Sequence, residues 1–208
     1  MRFNMKDIII DGDPRLRQPS AKVNIPLSAV NLELVRAMVD FVKRSQVIQS
    51  EEDVMTLDDD GAVFTGAVGM SAPQFGFNKR IFVYTNLRDG ATEYLVIVNP
   101  EIVQTSGGLV KLSTGESCLS VPAGEPLKIN RTKNIRWNGY LVDPEDGIAE
   151  RKHMTPVKGY SSIVFQHEYD HLEGTLYIDR VPGVIHGIDP PSKGISFIDP
   201  NDRDQHSV

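Results

Sequence analysis

The chain has 208 residues, 40% of them apolar and 24% charged, and 22 Lys and Arg stand against 28 Asp and Glu for a formal net charge of -6. That balance supplies no basic field for nucleic acid or an anionic membrane surface, while the length suits one domain with a substantial core. No run approaches eighteen apolar residues, and MRFNMKDIII has neither a signal-peptide core nor the Arg/Ser-rich character of a transit peptide, so a cytoplasmic protein without nucleic-acid or membrane partners is expected.

The first predicted element is an amphipathic helix over 28–45. It places Leu32, Val35, Met38, Val39 and Val42 at helical spacing, with Ser28 as N-cap. An acidic insertion at 46–62 follows, with six acids between Glu51 and Asp60 that read as a solvated loop, since the spacing of a calcium loop is missing. GAVGMSAPQFGF (66–77) crowds small residues where a backbone can approach a ligand or another strand closely. RIFVY (80–84) and EYLVIVNP (93–100) read as strands, the second apolar nearly throughout and therefore central.

NIRWNGYLVD (134–143) and IAERKHMTPV (148–157) flank the turn PEDG and form a hairpin. SSIVFQHEYDHLEG (161–174) is a second helix, capped by Ser161 or Ser162 and stopped by Gly174. Beyond Val181 the chain is rich in Gly, Pro and Asp, which predicts coil or a short strand and a loose tail over 183–208. Strands clustered between two separated helices point to an α+β fold: antiparallel sheets packed around a central helix, with an N-terminal amphipathic helix, in one domain spanning 1–208.

That central helix carries His167-Glu168-Tyr169-Asp170-His171. Residues i and i+4 lie on one helix face, so His167 and His171 can aim at one ion, with Glu168 about 100° around, placed to hold a water rather than to ligate. The motif arises by chance often enough to need a third ligand as corroboration. No glutamate follows Glu173, and Tyr177 stands where the longer His-Glu-x-x-His-x-x-Gly-x-x-His pattern requires histidine. His153, His186 and His206 fall in a hairpin strand and the tail, and Asp179 or Asp189 sits beside no other chemical signal. Cys118, in the bend TGESCLSVPAG, is the favoured partner, because a thiolate is a strong ligand and two histidines lack one. Such a set leaves a fourth tetrahedral position open, the mark of a catalytic rather than a structural site, and residue physics alone makes zinc the default ion.

Three segments together resemble the peptide deformylases, metallohydrolases that remove the formyl group from the N-terminal formyl-methionine of new proteins. The family's G-x-G-x-A-A-x-Q, E-G-C-L-S and Q-H-E-x-D-H stand here as AVGMSAPQ (67–74), ESCLS (116–120) and QHEYDH (166–171), in the family's order. The opening IIIDGDPRLRQPS also fits, the likeness runs from about Lys6 to Arg180, and the insertion and tail are similar to the longer, Gram-positive-type class.

The resemblance implies that Cys118, His167 and His171 bind one divalent metal ion. Fe(II) would be native, with Zn, Ni or Co as replacements, and ligand type does not decide among them. It implies Glu168 as acid/base, Gln74 and the Leu119 N–H as donors to the formyl oxygen, and a methionine pocket at Tyr160, Ile163 and Val164. N-formylmethionyl nascent peptides are the implied partners, and the ribosome surface is a place to meet them. Val68 and Gly69 read as an edge that pairs with the substrate backbone, and Glu116 with Arg131 as a brace for the Cys118 bend.

Ala67 replaces the family's first loop glycine, adding a Cβ near the groove, and Ser117 replaces the glycine before the cysteine, adding a donor near sulfur. These changes motivate a second reading, a binder of metal and peptide ends without turnover, against which the retained Glu168 and Gln74 speak. A third is an endopeptidase, which lacks its usual downstream ligand.

Overall fold

The computed structural model describes residues 1–46, 61, 66–88, 90–122 and 124–180, together with the backbone of 195–198. Most of the acidic insertion and of the tail, including His186, Asp189 and His206, lies outside the described residues.

Helix α1 (Ala29–Gln46) begins where expected: the Ser28 hydroxyl accepts the Asn31 N–H at 3.3 Å. Strand β1 (Gly69–Ser71) leads into a 3-10 turn (Ala72–Phe75), then β2 (Ile81–Arg88) and β3 (Ala91–Leu112) pair antiparallel. β4 (Arg131–Val142) and β5 (Ala149–Lys158) form the expected hairpin across PEDG. Helix α2 (Gly159–Leu172) carries the two histidines, and β6 (Ile195–Ile198) returns to pair with Leu109–Leu112 of β3. The fold is α+β, with strand order β1-β2-β3-β4-β5; neighbours along that path are antiparallel, and the β3–β6 pair is parallel.

The two helices cover opposite faces of the sheet. Ile81 and Val83 turn to one face with Leu34, Val35, Met38, Phe41 and Val42 of α1. Phe82 and Tyr84, one step out of phase, turn to the other with Val164 and Phe165 of α2, Ile135 and Trp137. A strand buried on both faces must be apolar at successive positions, which is why IFVY and YLVIV read as continuous rather than alternating runs. Phe165 is fully buried, its ring edge-on to Phe82 at 4.9 Å and 5.4 Å from Trp137. α2 is therefore held by its apolar face while His167 and Glu168 turn toward a cleft.

Two expectations need correction. β3 runs twelve residues beyond the predicted end at Pro100, because register shifts between Val98 and Glu101 and again between Ser106 and Leu109 absorb the proline and Gly107–Gly108 as bulges. α2 starts two residues before Ser161, with Lys158 at its N-cap. Ser161 and Ser162 lie inside the helix, donating instead to Asn86 Oδ1 at 3.1 Å and to the Thr132 carbonyl at 2.9 Å.

Gly174 ends α2 as predicted, in the left-handed region at φ 70°. A Cβ there would sit 2.6 Å from the Arg17 carbonyl oxygen, so Gly174→Ala combines backbone strain with a clash against main chain. It is expected to destabilise the fold by about 2 kcal/mol or more, read as a lower urea midpoint at unchanged m-value.

Candidate active site

Three segments far apart in sequence meet beside α2. Cys118 sits in a bend closed by the reciprocal main-chain bonds of Glu116 and Leu127, at 2.8 and 3.0 Å, and by Val121 N–H to the Cys118 carbonyl at 2.9 Å. The bend is tied to the N-terminal segment by Asp11 N–H to the Ser120 carbonyl at 2.7 Å. Ligand atoms of Cys118, His167 and His171 all lie within 4.8 Å of one another, and Cys118 Sγ is 3.3 Å from His171 Nε2. Asp179, the described competitor among the acids, instead accepts from Arg17 and from the Leu176 N–H, and His153 stands exposed on β5.

The chemistry of this donor set fits a divalent ion. His167 Nδ1 is 2.9 Å from Glu116 Oε2, so that nitrogen carries a proton toward the carboxylate and Nε2 is the nitrogen that would face an ion once its own proton is lost. His171 differs: its Nδ1 is buried without a hydrogen-bond partner among the described residues, so its tautomer is held by whatever binds at Nε2. Burial, and then the positive charge of His167 and Arg131 nearby, keep the His171 pKa well below the usual value, leaving the neutral ring that coordination requires. Burial also works to lower His167, but hydrogen bonds with Cys118 and Glu116 outweigh it and hold that ring well above the usual value. An ion binding at His167 therefore displaces a proton.

Arg131 is buried with both its acids. Its Nε and Nη2 donate to Glu116 Oε1 and Oε2, each at 2.8 Å, and Nη1 donates to Asp170 Oδ2 at 2.5 Å. Burial would raise Glu116, but the Arg131 charge and hydrogen bonds from Arg131 and His167 bring it down to about 2. Asp170 also accepts from Arg180 Nη2 at 2.6 Å. The pairing of Glu116 with Arg131 is as expected from the sequence. Asp170, inside the same motif, was missed because its role depends on a partner thirty-nine residues away.

Glu168 is 3% exposed, and burial raises its carboxyl, with the His167 charge and the Ser71 hydroxyl pulling the other way, to about 7; a cation held nearby works against that rise. Gln74 Oε1 accepts the Ser71 N–H at 2.8 Å, which turns its Nε2 toward Ser120 Oγ at 3.2 Å and Cys118 Sγ at 3.5 Å. Ser71 and Ser120, both fully buried, are further residues that sequence reasoning missed. Ser71 was legible as a third departure from the quoted pattern, standing where alanine is usual.

A cleft of about 500 Å³ joins these groups, lined among others by Val68, Gly69, Gln74, Leu119, Tyr160, Ile163, Val164, His167 and Glu168. β1 is the edge strand beside it. Thr85 N–H donates to the Val68 carbonyl at 2.8 Å, and because antiparallel pairs alternate, the N–H and C=O of Gly69 face away from β2.

Ala67 lines the cleft, as expected of a Cβ near the groove, whereas Ser117 does not act on the sulfur as expected. Ala67 has no positive φ, and its Cβ is buried in the core while Ser45 and Gln46 grip its N–H and C=O at 3.1 and 2.8 Å. Ser117 is exposed, and the described polar neighbours of the sulfur are Gln74, His167 and His171.

The polypeptide deformylase family model matches residues 5–184. A peptide deformylase of Levilactobacillus brevis is 37% identical over 183 residues, covering 86% of this chain and 91% of that one. One from Shouchella clausii is 32% identical over 196 residues, covering 94% and 100%. The crystal structure of peptide deformylase from Thermus thermophilus superposes with a TM-score of 0.61 at 31% identity, covering 85% of each chain. With this extent of similarity in sequence and in fold, the chain belongs to the peptide deformylase family.

Proposed function

We propose that this chain hydrolyses the formamide of N-formylmethionyl peptides with Cys118, His167 and His171 holding one divalent ion, Glu168 as acid/base, and Gln74 with the Leu119 N–H as donors to the formyl oxygen. The observation that carries the reading is the convergence of a thiol, two imidazoles, a buried carboxyl and a side-chain amide on one cleft. Fe(II) is the proposed native ion, with Zn, Ni or Co able to replace it in a purified sample. Nascent chains are the proposed substrates, met in the cytoplasm and at the ribosome surface; no helix among the described residues is long and apolar enough to cross a membrane.

When bound, a divalent ion on this donor set acts as a Lewis acid and makes water acidic near neutral pH. Glu168 takes a proton from the attacking water as its oxygen bonds to the formyl carbon. It then hands that proton to the amine nitrogen as the C–N bond breaks, releasing formate and a free amino terminus. Gln74 Nε2 and the Leu119 N–H stabilise the charge that grows on the formyl oxygen; losing one such donor lowers rate by about a hundredfold or more. Tyr160, Ile163 and Val164 offer the apolar slot for methionine. The outward N–H and C=O of Gly69, beside Val68, pair with the peptide backbone, so residues beyond the first are read loosely.

Formate release from formyl-Met-Ala-Ser is expected to stop on chelation and to return with added metal. Cleavage of internal peptide bonds would indicate an endopeptidase, and metal binding without formate a binder. Glu168→Ala should lower kcat by about a thousandfold or more while bound metal per chain is unchanged; full turnover in the metal-loaded variant removes Glu168 from its role.

Glu116 and Arg131 are proposed to brace both Cys118 and His167. A double-mutant cycle in urea unfolding should give a coupling of about 1 kcal/mol or more, and Glu116→Ala should weaken metal binding about tenfold or more. Zero coupling would remove the brace. Glu116 titrates at about 2 in the fold against its usual 4.5, so its charge stabilises the fold above pH 4.5 and that contribution is lost as pH falls toward 2. Acid unfolding of Glu116→Gln should accordingly depend less on pH across this window.

A further inference from the structure

Strand β1 faces Glu168 with two residues, Gly69 and Ser71, which alternation places on the same side of the strand. The carboxylate fits between them. A Cβ on Gly69 would lie 2.6 Å from Glu168 Oε1, so only glycine leaves that oxygen room. At the other end, the Ser71 hydroxyl is 2.6 Å from Glu168 Oε2 and 3.0 Å from the Glu168 main-chain carbonyl. Ser71 is 0% exposed, so water does not compete for these contacts. Its backbone is engaged too: the Ser71 N–H donates to Gln74 Oε1.

One residue thus touches both the carboxyl and the amide to which the reaction is assigned, one through its side chain and the other through its main chain. The pattern that carries the resemblance has alanine at this position, where this chain carries a hydroxyl. We propose that Ser71 is a positioning residue for Glu168: its hydroxyl ties down Oε2, leaving Oε1 as the oxygen that exchanges the proton with water and amine, and its main chain fixes where Gln74 stands relative to that carboxyl. This rests on the reading of Glu168 as the acid/base.

The hydroxyl has one proton and two acceptors, and the shorter contact, to Oε2, takes it. A carboxylate held at one oxygen by a buried donor keeps one rotamer, whereas without the donor it samples others and the fraction of turnovers starting from the productive geometry falls. Substrate is gripped elsewhere, by Gly69 main chain and the apolar slot, so the effect belongs to kcat and not to KM.

The test is steady-state kinetics of metal-loaded Ser71→Ala and Ser71→Thr on formyl-Met-Ala-Ser, with bound metal and the unfolding midpoint measured on each. Ser71→Ala is expected to lower kcat about tenfold with KM within about twofold and metal content unchanged, the size of a lost hydrogen bond to a charged group. Ser71→Thr, which keeps the hydroxyl, is expected to recover most of that loss. Wild-type kcat in Ser71→Ala would overturn the proposal, as would a kcat that falls only together with bound metal, which assigns the hydroxyl to the fold. A metal-loaded threonine variant as slow as alanine would overturn it too. An inactive Glu168→Ala beside a fully active Ser71→Ala would discard this role alone, while an active Glu168→Ala would discard the reading beneath it.

Discussion

The site depends on one buried cation. Arg131, 3% exposed, reaches from the start of β4 to Glu116 at the mouth of the cysteine bend and to Asp170 on α2. A charge in that position is tolerable only because two carboxylates surround it, and removing one leaves the others buried and unbalanced. The geometry follows. Glu116 is fixed by a two-pronged guanidinium contact and so presents its Oε2 to His167 Nδ1, and the bend it opens carries Cys118 to the face of α2 where His171 waits. The ion pair thus stands between the bend that carries the sulfur and the helix that carries the two imidazoles.

The opposite wall is governed by size rather than charge. β1 passes so close to α2 that Glu168 fills the space a Gly69 side chain would need. The same closeness lets the edge of the sheet, its outward main-chain groups and the buried carboxyl share one cleft. The strand is held from behind by the last turn of α1, where Ser45 and Gln46 take both polar groups of Ala67, and Tyr94 of β3 donates to Gln46 Oε1 at 3.2 Å. The N-terminal helix, on the far side of the sheet from the histidines, therefore bears on the site through the loop that it anchors.

Several of the shifted titratable groups lie together at the site. Glu168 is raised and His171 lowered chiefly by burial, whereas Glu116, also desolvated, is brought down by the Arg131 charge and by hydrogen bonds from Arg131 and His167. Burial lifts one carboxyl toward neutrality, while charged partners keep its neighbour ionised and hydrogen-bonded to an imidazole.

Much of this was written locally. Helical spacing set α1, and the His-Glu-x-x-His interval placed two imidazoles on one face of α2; PEDG marked the hairpin, and Gly174 the end of the helix. The cysteine could be singled out by elimination and the three motifs by their resemblance to a family. These signals depend on a few consecutive residues, which dihedral preference and period are enough to read. Where the reading failed, distant contacts had overruled local ones. Ser161 and Ser162 look like caps, yet they are inside α2 because Asn86 and Thr132 offer partners from strands. Pro100 looks like a terminus, yet β3 continues because a bulge absorbs it. Asp170 and Ser120 lie inside the motifs and Ser71 departs from one, yet their contacts were not legible, since what they do consists of a hydrogen bond to a residue from thirty-nine to ninety-seven positions away. A sequence determines which groups exist and which lie on one face of an element; which of them meet is decided when buried charges and close-packed strands can be satisfied together, and only the folded chain solves that problem.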